Sequence, residues 1–463
     1  MKATVSEQLA DYACAVKFED LPAAAVHQAK RLLLKTLTEI IGGYSSEAGA
    51  ITRDFVRTVG GNKESTVIGD GFKTSCQNAV LANGVMLRFL DMNDTIRIEN
   101  MMPGSKYGAH SSVHPDENIP TVLAVGERVG ASGREILTSI VLAYELSGRL
   151  VNLGIKPTGF HFTTIGQYVV PMIAGRLMGL NRDQIANAVG IAGTYGATLG
   201  IVNSDGQQYD MTKNIVYPLA AYNGILAAFL AQKGFTGPKN VIEGPQGLVE
   251  LVLRGNCNLG LLTKPSDEYQ VFRPIMKSLP ANGMLQTPLI ATLKLIREHK
   301  ISPEDVESIT VEVSDHAVQH VADPGKRIPE TPETADHSGF YVIAVAIRDG
   351  KFGGGSYDVK KKLGDDLVRR LMDRIVFKPD EGLRPFKSVV TIRTKAGSEY
   401  KCKVDVGKGA IENPMTDEEL VEHFASYSDR IERDKVNSIA GMIFNLDRID
   451  SISELTELLV LKT

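Results

Sequence analysis

From residue 4 to about residue 260, apolar positions recur every three to four residues, the spacing that lines one face of a helix. Between Pro22 and Ile41 they fall at Ala25, Leu32, Leu33, Leu34, Leu37 and Ile40, and Pro22 suits a first helical turn, where a missing N–H costs nothing. Ser132-Gly133-Arg134-Glu135 reads as a capping box ahead of the apolar run from Ile136 to Leu146. In such a box the Ser hydroxyl accepts from the Glu N–H and the Glu side chain reaches back. Asn181-Arg182-Asp183-Gln184 opens another helix in the same way. Small residues then crowd one stretch, at Gly190, Ala192, Gly193, Gly196 and Gly200. Gly costs about 1 kcal/mol in a helix interior relative to Ala. Close helix packing is the simpler explanation for these residues, and backbone approach to a ligand the sharper one.

The pattern switches after about residue 265. Ser308 to Val313 alternates polar and apolar, as a half-buried strand does. Ser388 to Arg393 and Glu399 to Val404 read as two strands of a hairpin turning at Lys395-Ala396-Gly397-Ser398. Helical segments are expected near 286–299, 336–349 and 363–374, which makes this part α+β. Helix resumes after Asn413-Pro414-Met415 with a capping box at Thr416-Asp417-Glu418-Glu419. The expected fold is therefore mainly α. A large helical domain takes residues 1–266 and 413–463, and residues 267–412 form a smaller inserted α+β domain. Gly353-Gly354-Gly355-Ser356 lacks the strand-loop-helix setting of a phosphate cradle and is expected to be a flexible loop.

A chain of 463 residues exceeds one ordinary core, in keeping with two domains. Its 51 basic and 55 acidic side chains leave a net charge of -4, without the basic footprint of a nucleic-acid binder. An anionic ligand would need a local cationic pocket. Cys14, Cys76, Cys257 and Cys402 are scattered, which argues against structural zinc, an iron–sulfur cluster or a disulfide scaffold. Free thiols and an N-terminus without a signal-peptide pattern lead us to expect a cytoplasmic protein. No run approaches the roughly 20 apolar residues of a membrane span.

Several short runs carry candidate chemistry. Leu90-Asp91-Met92-Asn93-Asp94-Thr95 places two carboxylates, an amide and a hydroxyl where an apolar helix ends; its bland reading is a polar helix terminus. His114-Pro115-Asp116-Glu117-Asn118 holds a His in extended backbone, with Asp116 or Asn118 able to cap the helix Ile119 to Val129. A His with a carboxylate nearby suits proton transfer near neutral pH. His161, in Gly159-Phe160-His161-Phe162-Thr163-Thr164, precedes a helix whose N-terminal end favours anions; the bland reading is a capped, packed His. Lys213 opens a helix, where the dipole disfavours a cation unless something acidic lies near, and a substrate carboxylate is one candidate. Lys277 sits between Pro274 and Pro280, and Asp336-His337-Ser338 lies farther on.

Taken in order, LDMNDT at Leu90, HPDEN at His114, GFHFTT at Gly159, MTKN at Met211, GFTGPKNVIEGPQG at Gly234, the Lys277 segment, TADHSGFYVIAVAIRDG at Thr334 and NPMTDEEL at Asn413 resemble the 2-methylcitrate dehydratase / cis-aconitate decarboxylase family, also called MmgE/PrpD. The likeness runs from about residue 5 to about residue 450. It implies an all-helical domain built from both chain ends, an inserted α+β lid, a homodimer, and a site between the domains that uses no metal and no cofactor. The implied catalytic residues are Asp91, Asp94, Thr95, His114 and His161, with Lys213, Lys277 and His337 binding a small anionic carboxylic acid. In that scheme His114 moves the proton, oriented by Asp91, and His161 assists. Dehydration of a 2-methylcitrate-like hydroxy-tricarboxylate comes first. Decarboxylation of a cis-aconitate-type acid, isomerisation or epimerisation of a diacid, and a non-catalytic binding protein remain as alternatives. The chain departs from the family pattern in the long 96–113 connection (with Arg97, Glu99, Lys106 and His110), at Val216 and Pro218, and at Asp116-Glu117-Asn118, which leaves the substrate open.

Overall fold

The computed structural model describes residues 2–99, 110–255, 257–264, 268–428 and 430–461. Helix accounts for 57% of the chain, with a small mixed sheet, so the fold is mainly α. Capping chemistry starts the helices where the sequence indicates. Ser132, Asn181 and Thr416 each accept from the N–H three residues on, and Glu135, Gln184 and Glu419 reach back. Those boxes open the helices Gly133–Leu150, Arg182–Gly193 and Asp417–Ser426.

The buried apolar side chains fall into two main clusters. The larger draws on residues from Val5 to Met276 and again from Met415 to Leu461. The second combines residues from Ala281 to Cys402 with Leu90 and Met92. Small residues do the packing in the first. A Cβ on Gly84 would stand 2.7 Å from Pro218, one on Gly224 2.7 Å from Val170, and one on Gly190 2.7 Å from the Pro238 carbonyl. Gly190, Gly193 and Gly200 thus meet protein, and close packing explains them, whereas Gly196 faces open space at a φ of 88°.

The second cluster is built on a four-stranded sheet ordered Ile375–Pro379, Val306–Val313, Ser388–Thr394, Glu399–Val404. The last two strands are the expected antiparallel hairpin. Ile375–Pro379, which lacked a clear alternation, runs parallel to Val306–Val313. Gly354–Tyr357, in the glycine-rich run, is one turn of 3-10 helix.

Two segments do reach the length and apolarity of a membrane span, contrary to expectation: Gly133–Thr158 and Thr212–Gln232. The first is 94% buried inside the protein and so is explained as a core helix; the second, interrupted by Pro218, is 56% buried.

Candidate active site

The helix Cys76–Arg88 ends just before Asp91, which takes a positive φ of 49°. A non-glycine residue there is strained, and such strain gathers at functional sites. Two backbone pairings then assemble the site. Ile96–Ile98 pairs antiparallel with Ser111–Val113, bringing His114 back beside Asp94. Thr95 exchanges two backbone hydrogen bonds of 3.0 Å with Ile275, which sets Lys277 against Asp91. A third bond, from the Asn282 N–H to the Asp336 carbonyl at 2.9 Å, ties the Lys277 segment to His337.

Asp91, Thr95, His114, Lys213, Lys277 and His337 consequently line one cleft. Asp91 accepts from Lys277 at 3.0 Å and pairs with Lys213 at 3.4 Å, and Lys213 also contacts Asp336. All four side chains are buried. The acid that offsets Lys213 at its helix start is therefore a pair of protein carboxylates. Burial works to raise the Asp91 pKa, but the Lys213 and Lys277 ammoniums outweigh it and hold the carboxylate well below its usual range. Asp336 goes the other way: burial and the Asp91 charge lift it to about 7. Below about pH 7, where Asp336 takes up a proton, the two lysines face a single charged carboxylate.

His114 is held by Asp94 rather than by Asp91. Its Nδ1 donates to the Asp94 carbonyl at 2.6 Å, with Thr95 Oγ1 at 3.3 Å. A carbonyl only accepts, so the proton sits on Nδ1 and Nε2 carries the free lone pair. Burial, then Arg88 and Lys277, push the His114 pKa well below normal, so the ring stays a neutral base.

Two expected residues lie outside the cleft lining. His161 caps the turn Phe162–Ile165, its Nδ1 accepting from the Thr163 N–H at 3.4 Å and lying 2.8 Å from the Thr163 hydroxyl. Its ring packs on Phe162, centroids 4.2 Å apart, and Phe162 stands edge-on to His114 at 4.8 Å. The capped, packed reading of His161 is the correct description of its place. Asp94 directs its carboxyl away from the cleft into a second buried cluster, where it accepts from Tyr144 at 2.5 Å beside Asp116 and Glu39. Asp116 neither caps a helix nor serves His114; it accepts the Asp94 N–H at 2.8 Å and fixes the turn. Asn118 makes no side-chain cap either, donating to the Pro115 carbonyl instead.

Sequence reasoning missed much of the remaining lining: Arg88, Lys156, Asn203, Asn282, His316 and His320. Arg97 and His110 had been noted only as part of the long connection, and they line the cleft too. Lys106 falls outside the described residues. The missed signal was the spacing of His316 and His320, which puts both rings on one helix face. Among the described residues, two groups bring metal-ligand atoms together: Asp91 with Asp336 and His337, and Glu39 with Asp94 and Asp116. Each already contains a buried lysine, Lys213 and Lys35, that supplies positive charge.

The fold is thus mainly helical, and its cleft sets two lysines around one aspartate beside the imidazole of His114. The chain belongs to the MmgE/PrpD family: residues 7–258 match its N-terminal domain and residues 279–447 its C-terminal domain. It is 25% identical to the cis-aconitate decarboxylase of Mus musculus, over 99% of this chain and 94% of that protein. It is 22% identical to the cis-aconitate decarboxylase of Aspergillus terreus strain NIH 2624, over 99% and 96%. The 2-methylcitrate dehydratase of Escherichia coli K12 is 22% identical over 63% of this chain and 60% of that protein. These relatives carry the names of lyases.

Proposed function

We propose that the protein is a lyase that dehydrates a small hydroxy-polycarboxylic acid of the 2-methylcitrate type, without a metal. The observation that carries this is the geometry of His114, which lines the cleft with its Nδ1 committed to the Asp94 carbonyl, leaving Nε2 as the ring's acceptor. With Nδ1 committed to a carbonyl, Nε2 is the ring atom that can take a proton from carbon next to a carboxylate. Lys213 and Lys277 draw that carboxylate in and stabilise the charge that develops on it. The hydroxide that leaves needs a proton. His337, hydrogen-bonded to Asp336, takes that role in place of His161, because it lines the cleft and its partner carboxyl titrates at about 7. We also take the inserted 267–412 segment to act as a lid over the cleft.

Decarboxylation of a cis-aconitate-type acid is the second reading, favoured by the near-complete coverage of the relatives of that name. NMR in D2O with 2-methylcitrate, citrate and cis-aconitate separates the two. Olefinic signals from the hydroxy acids, without loss of carbon, are expected. Loss of CO2 from cis-aconitate with the hydroxy acids untouched would replace the first reading by the second.

A homodimer belongs to the same proposal. Ile51, Phe55 and Val59 are 55%, 53% and 57% exposed at every fourth position of the helix Glu47–Val59, a stripe suited to pairing with a second copy. Light scattering should give a dimer mass, reduced to one chain in Phe55→Glu.

A further inference from the structure

Four imidazoles run in file along the cleft away from the reacting end. His337 lies 5.4 Å from His320, His320 6.0 Å from His316, and His316 5.0 Å from His110, measured between ring centroids. At the far end the Lys156 Nζ lies 2.8 Å from His110 Nε2. The other cations of the cleft each pair with a carboxylate: Arg88 with Glu117 at 3.2 Å, Arg97 with Glu99, and Lys213 and Lys277 with Asp91. Among the described residues Lys156 has only the imidazole, and Asp205 and Glu99 act on it through space. His316 Nε2 is buried there with no hydrogen-bond partner among the described residues. An ammonium with no carboxylate partner among the described residues, beside a buried imidazole nitrogen with no hydrogen bond among them, is a costly arrangement unless an anion completes it.

We propose that Lys156, with His110 and His316, forms a second carboxylate subsite, which binds the substrate carboxylate farthest from the reacting carbon and so selects polycarboxylates over monocarboxylates. This rests on the lyase reading and names the part of the cleft that sets its substrate class. His320 spaces the two ends and is itself fixed by Asp205, 2.9 Å from its Nδ1. Burial and the Arg97 charge bring the Lys156 pKa down to about 8, a condition that an arriving carboxylate would reverse.

The test is equilibrium binding of tricarballylate, which has three carboxylates and no leaving group, against butyrate, which has one, by titration calorimetry on the intact protein. Wild type should bind tricarballylate at least about tenfold more tightly than butyrate, as expected for an added charge-assisted contact. Lys156→Met should erase most of that preference, leave butyrate affinity unchanged, and be rescued by Lys156→Arg. His316→Asn, at the partly exposed edge of the cleft, should weaken tricarballylate several-fold, and it probes the same subsite if Lys156→Met does not fold. Equal affinity of wild type for the two acids overturns the subsite, as does unchanged tricarballylate binding in Lys156→Met or His316→Asn. Because no turnover is involved, these outcomes are independent of whether the NMR experiment upholds dehydration.

Discussion

Two buried carboxylate–lysine clusters lie on either side of the turn from Asp91 to Thr95, and they behave oppositely. In the first, Asp91 and Asp336 face Lys213 and Lys277, and Asp91 stays ionised. In the second, Glu39, Asp94 and Asp116 share Lys35. There burial outweighs that one ammonium: Glu39 is raised well above its usual range, Asp116 is raised, and Asp94 reaches about 7. Residue types and burial are alike, so the ratio of ammonium to carboxyl decides which cluster holds a charge. The first faces the cleft and can receive an anion. The second is sealed behind it, and its service to the site is mechanical, since the Asp94 it anchors presents the carbonyl that orients His114.

The comparison is broken most severely at Asp91. Asp91→Ala would leave two buried ammoniums without their shared carboxylate, at a cost of about 3–5 kcal/mol. Adding Lys277→Met should recover a large part of it, read by urea unfolding. Glu39→Gln in the other cluster should cost less, because burial already raises that carboxyl well above its usual range; equal losses at Asp91 and Glu39 would erase the distinction drawn between the clusters.

His114→Ala should lower turnover at least about a hundredfold, the loss expected when a general base is removed. Circular dichroism should show the fold unchanged. Near-full activity would take His114 out of the chemistry.

Asp336 sharpens the contrast through pH. Its carboxyl must be protonated both to leave the lysine cluster positive and to supply the departing hydroxide, so kcat/KM should fall as pH rises through about 7. In Asp336→Asn the residual activity should lose that alkaline limb; an unaltered limb would assign it to another group.

Asp94→Asn should have the smallest effect. Between the unfolded-state value near 4 and the folded value of about 7, the unfolded chain has released its proton while the folded protein keeps it. Stability therefore declines as pH rises across that window, because the unfolded state binds fewer protons. The Asn variant should remove about one proton from that slope and melt slightly higher than wild type at pH 8. An unchanged slope would mean that Asp94 is ionised in the fold.

Much of this was legible in the chain itself. Capping boxes at Ser132, Asn181 and Thr416 marked helix starts because their hydrogen bonds close within four residues. The 388–404 hairpin was legible because its alternation and its turn are both local. The order of polar runs likewise picked out the family, and six of its eight implied site residues share the cleft. Pairings between distant segments could not be read from local pattern. The Thr95–Ile275 bridge, the Ile96–Ile98 return to Ser111–Val113, and the contacts of Asp336 with Lys213 join residues tens to hundreds of positions apart. Those contacts decided that Asp94 rather than Asp91 orients His114, that Phe162 and not His161 lines the cleft, and that Lys156 shares it with five histidines. Side-chain direction and the balance of buried charge depend on which segments meet, and only tertiary packing settles that.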